Sequence, residues 1–77
     1  MFEKDTAYLA VEMMGLITRI FQNNLISLTE YISNTKHKAL FLEDYIKKNK
    51  DSLENNKIIK TLLQHNLLLK AYCSASN

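Results

Sequence analysis

The sequence predicts an all-α protein, a helical hairpin or three-helix bundle completed by oligomerisation through its N-terminal helix. Three observations lead there. The 77 residues include no Pro and a single Gly, Gly15, whereas β-hairpins draw on residues with positive or fixed φ at their turns. Apolar residues recur at steps of three and four, the spacing that lines one helix face. In "NKDSLENNK", Asp51 stands three residues before Glu54, so that each side chain can satisfy a backbone amide of the other.

The first helix is expected from about residue 6, with Asp5 or Thr6 as its N-cap. Met14, Ile17, Phe21, Leu25, Leu28 and Ile32 form a stripe that should face a core. A second row, Leu9, Met13, Leu16 and Ile20, occupies an adjacent face, leaving Glu12, Gly15, Arg19 and Gln22 as a narrow polar strip. The segment "SNTKHK", residues 33–38, has the composition of a loop, yet the stripe continues in phase through Thr35, Ala39, Leu42 and Ile46. Two readings therefore stand together: one long or kinked helix over about 6–48, or a first helix over about 6–33 with a break near Asn34.

The last helix should span about 52–72, with Ile58, Ile59, Leu62, Leu63, Asn66, Leu69 and Cys73 inside, Lys57, Lys60, Gln64 and Lys70 outside, and a frayed tail at 73–77. The short connection before it makes it an antiparallel neighbour of the preceding segment. Residues 1–77 form one domain, with no repeat or linker.

Composition narrows the function. With 47% hydrophobic and 23% charged residues the chain is of ordinary globular make-up, and its net charge of +2 does not call for a polyanionic partner. A lone cysteine, Cys73, forms no intramolecular disulfide, and Glu3, Asp5 and Glu12 interrupt the pattern of a signal peptide, so a cytoplasmic setting is expected. No stretch reaches the roughly 20 apolar residues of a membrane span.

Chemistry-bearing groups are sparse. His37, His65 and Cys73 cannot supply the three or four ligands of a zinc site, and no CxxC or HExxH spacing occurs. Neither a metal nor another cofactor is expected. Glu43 and Asp44 point about 100° apart on a helix, and one glycine cannot build a phosphate-cradling loop. His65 reads as a partly buried histidine with one hydrogen bond, and Cys73 as an inner-face filler. Asn23, Asn24 and Asn66, which interrupt the stripes, either set register at a seam or mark the core's edge. The sequence thus predicts no enzymatic activity.

The apolar first helix is the informative feature. If Met13, Met14, Leu16, Ile17, Ile20 and Phe21 were all core, helices would have to surround it on nearly every side, and one hairpin cannot do that. The expected function is protein–protein interaction, as adaptor, chaperone or regulator, with Met13, Met14, Ile17, Ile20, Phe21 and Leu25 binding a partner or a second copy. Two alternatives rank below it. One is a DNA-associated regulator using Lys36, Lys38, Lys47, Lys48, Lys50, Lys57 and Lys60, disfavoured by the interleaved acids; the other is a peripheral membrane binder, disfavoured by the lack of lysines on the polar strip.

The later half, "TKHKALFLEDYIKKNKDSLENNKIIKTLLQHNLLLKAY", resembles the helical pattern of flagellar and related type III export chaperones. The resemblance rests on Lys38 followed by Leu42 in a helical leucine register, and on Asn66 before Leu68 and Leu69. It implies a small cytosolic helical protein that keeps export substrates competent for assembly.

Overall fold

In a computed structural model, described for residues 2–51 and 55–75, the chain is an all-α three-helix bundle. Helix α1 covers Phe2–Gln22, α2 covers Leu28–Lys48 and α3 covers Asn55–Ala75. Thr18 near the end of α1 meets Tyr31 near the start of α2, and Phe21 meets Tyr72 of α3. The helices therefore run up, down and up, with α1 and α2 forming the most extensive pairing.

The first helix ends earlier than the periodicity predicts, and the reason is local. Asn24 adopts φ of 61°, a left-handed conformation that Asn tolerates better than most residues. Its N–H bonds the Phe21 carbonyl at 2.9 Å while the Leu25 N–H reaches back to Ile20 at 3.1 Å, the paired bonds of a Schellman stop. After five connecting residues, 23–27, the next helix starts. Ser27 accepts from the Glu30 N–H at 3.1 Å, and the Glu30 carboxylate accepts from the Ser27 N–H at 2.9 Å, closing a capping box.

The expected break near Asn34 does not occur. Residues 33–38 lie inside α2. Their polar side chains turn back on their own helix: the Asn34 amide donates to the Glu30 carbonyl at 2.7 Å, the Thr35 hydroxyl to Tyr31 at 2.7 Å, and the Lys38 ammonium to Asn34 at 2.8 Å. Fully buried Thr35 is thereby satisfied without a partner from another helix.

At the other boundaries, α1 begins at Phe2, so Asp5 and Thr6 lie within its first turns rather than at the N-cap position; the acid Asp5 suits the positive end of the helix. The expected cap pair at Asp51 and Glu54 involves Ser52 to Glu54, which lie outside the described residues. Asn55, the first described residue of α3, ties the connection down, its amide donating to the carbonyls of Asn49 at 2.6 Å and Lys50 at 3.3 Å. Helix α3 continues to Ala75, past the predicted end at 72, so Cys73 is helical, and it is exposed rather than inner.

The core joins Ala7, Ala10, Val11 and Met14 of α1 to Ala39, Leu42 and Tyr45 of α2 and to Ile58 and Leu62 of α3. On α3 the inner line is Ile58, Leu62 and His65, while Ile59, Leu63 and Asn66, expected inside, are exposed. One helix face of about 100° cannot hold both members of each Ile58–Ile59 and Leu62–Leu63 pair when only two helices flank it.

Candidate functional site

The structure divides the six residues expected to bind a partner. Met14 has no exposure and Phe21 retains only 6%, so both serve this chain's own core and neither is available to a partner. Met13 is 40% exposed, Ile17 and Ile20 are half-buried, and Leu25, 73% exposed, sits on the connection after α1. Two residues outside that set, Leu9 and Leu16, are more exposed than Met13, at 59% and 52%.

These positions make sense as two rows with the same step. Ala7, Val11, Met14, Thr18 and Phe21 advance by four, three, four and three, and all are buried. Leu9, Met13, Leu16 and Ile20 advance by four, three and four on the far side, about 160° away at 100° per residue. The inner row mixes the small Ala7, Val11 and Thr18 with the large Met14 and Phe21. The outer row is made wholly of large aliphatic side chains.

Charged residues mark one edge of the outer row. Glu12 and Arg19 lie two turns apart on that edge, and Ile17 lies on the other. Lys57 of α3 reaches toward Glu12 at 3.8 Å, with both side chains more than half exposed, and its ammonium stands 5.4 Å from the Tyr8 ring centroid. Between α1 and α3 an open groove of about 430 Å³ is lined by Val11, Gly15, Thr18, Arg19, Thr61 and Gln64. Helix α3 adds a separate apolar line, Ile59, Leu63 and Leu67, all exposed.

Compared with known protein families, characterised proteins and solved structures, this chain matches none. The site must be read from its own geometry.

Among the described residues, Thr18, Tyr31 and His65 form a buried polar chain. Thr18 Oγ1 lies 3.3 Å from the Tyr31 hydroxyl, which lies 2.9 Å from His65 Nδ1. Donation from Thr18 to Tyr31 and from Tyr31 to His65 satisfies all three with the imidazole neutral. Burial pushes the His65 pKa below 6.5, against a smaller opposing pull from Glu43, and burial raises the Tyr31 pKa. The expected buried histidine with one hydrogen bond is what the structure contains.

A stability effect follows. Because the folded-state pKa of His65 is depressed, the unfolded chain binds more protons below pH 6.5. Stability from this group should be fully present above that pH and fall as pH drops toward the lowered value. Tyr31→Phe should cost about 1–3 kcal/mol by leaving buried polar atoms unpaired. Urea titrations from pH 5 to 8 check both, and a flat profile with an unaffected Tyr31→Phe midpoint would contradict them.

Among the described residues no three His, Cys, Asp or Glu side chains gather closely enough to hold a metal ion, and no helix is long and apolar enough to cross a membrane. Several lysines of the basic middle are engaged within the chain, Lys48 with Asp44 at 3.1 Å, Lys57 with Glu12 and Lys38 with the Asn34 carbonyl.

Proposed function

We propose that this chain is a non-enzymatic interaction module, an adaptor, chaperone or regulator, that engages another polypeptide through the outer face of α1. The observation that carries this reading is the row Leu9, Met13, Leu16 and Ile20, whose first three side chains are 40–59% exposed. Contiguous apolar rows of this kind mark interaction surfaces, whereas isolated exposed leucines do not. The binding residues are accordingly Leu9, Met13, Leu16 and Ile20, with Ile17 at the margin. Met14 and Phe21 act by holding the helix in place. A cytoplasmic export chaperone is the particular form suggested by the resemblance of residues 35–72.

The test is photo-crosslinking in cells from a reactive amino acid placed at Leu16, with the exposed Lys47 position as control. An adduct to a polypeptide from position 16 and not from 47 is expected. Equal or absent labelling at both positions refutes the reading.

A further inference from the structure

We infer that the occupant of the α1 face is a second copy of this chain, bound with the two α1 helices antiparallel. The inference rests on the interaction reading above and names its partner.

The four-three-four step of Leu9, Met13, Leu16 and Ile20 is the spacing of a coiled-coil seam, with Leu9 and Leu16 at d-type and Met13 and Ile20 at a-type positions. Such a seam places a matching stripe of the same chemistry against it, and the charges at its edges set the orientation. In a parallel pair, each flanking residue faces the one five positions on in the other helix, so Glu12 would meet Ile17 and Arg19 would meet Asn24. No opposite charges pair there.

Antiparallel packing changes this. Leu9 layers on Ile20 of the partner copy and Met13 on its Leu16, which brings Glu12 beside Arg19 of the partner copy. The two-fold axis repeats that ion pair, so one surface supplies both halves of the match. Arg19 has no ion pair among the described residues, and the contact of Glu12 with Lys57 is long and solvated. On the second edge Ala10 is sealed in this chain's own core and Ile17 is half-buried and uncharged, so no like charges meet there. An unrelated partner would need an apolar groove alone, whereas a polar edge that complements itself on rotation favours a copy.

The experiment uses the full chain with Cys73→Ser. Sedimentation equilibrium should give a concentration-dependent species of twice the 9.0 kDa chain mass. Leu16→Glu should raise the dimer Kd by at least ~30-fold. Glu12→Arg and Arg19→Glu should each weaken it about 3- to 10-fold, and the double reversal should restore it to within about 2-fold. All three positions are exposed, so helicity by circular dichroism should be unchanged.

Orientation is read from disulfides. A Leu9→Cys chain mixed with an Ile20→Cys chain should form the mixed product, while Leu9→Cys alone should not, because antiparallel copies hold the two positions about 16 Å apart along the axis. Self-linking of Leu9→Cys without the mixed product overturns the antiparallel arrangement. A monomer at millimolar concentration whose position 16 crosslinks to a different protein overturns the copy while leaving the interaction reading intact. A monomer with no such adduct overturns both.

Discussion

Phe21→Ala should leave the chain largely unfolded at room temperature. The Phe21 ring stacks on Tyr31 of α2 at 4.7 Å and 22°, and meets Tyr72 of α3 edge-on at 4.8 Å and 63°. One side chain thus joins all three helices at the end of the bundle where α1 stops. Truncating a buried Phe removes its transfer energy and leaves a cavity, together about 3–5 kcal/mol. Domains near this length hold only about 3–5 kcal/mol from a single core, so the loss is of the same size as the total. The expected result is loss of the cooperative urea transition followed by circular dichroism. Leu16→Ala, on the exposed face, should shift the midpoint of the dilute monomer by less than about 0.5 kcal/mol. A mild Phe21→Ala would mean that this ring faces outward.

The second large effect is expected at Leu42, which has no exposed surface and belongs to the same cluster as Met14 and Ile58. Leu42→Ala should cost about 2–5 kcal/mol. For a domain of this size each kcal/mol lowers Tm by roughly 4–8 °C, so thermal melts should drop by at least about 8 °C. Leu42→Met keeps nearly the same volume and should cost less than about 1.5 kcal/mol. Equal losses for the two variants would place the effect in something other than the cavity. Whereas Phe21 joins the helices at one end of the bundle, Leu42 belongs to the cluster of Ala7, Val11, Met14, Ile58 and Leu62, so its effect measures the packing of that core.

The two largest differences between expected and observed helix boundaries have a physical origin. "QNNLISLTE" contains a stop, Asn24 in the left-handed region, and a restart, the Ser27 and Glu30 capping box. Both signals were present in the sequence. The stripe from Phe21 through Leu25 to Leu28 outweighed them because its spacing continues unbroken across the connection. The polar run at 33–38 misled in the opposite direction, since side chains of poor intrinsic helix propensity can bond the carbonyls of the preceding turn and remain helical. The candidate surface was half legible. The second row was visible in the spacing, but Ala7, Ala10 and Val11 gave no sign that small residues would take the inward side.

By itself the sequence determined an all-α chain, an apolar first helix and a partly buried, hydrogen-bonded histidine on the last helix. These follow from local propensity and from periodicity along one element, which need no knowledge of neighbours. Only the tertiary structure decided that Leu9, Met13 and Leu16 stay exposed and that Ile17, expected inward with Met14 and Phe21, is only half-buried. Two neighbouring helices can cover only one side of α1, so α2 and α3 sealed Ala7, Val11, Met14 and Phe21 and left Leu9, Met13 and Leu16 on the opposite side uncovered.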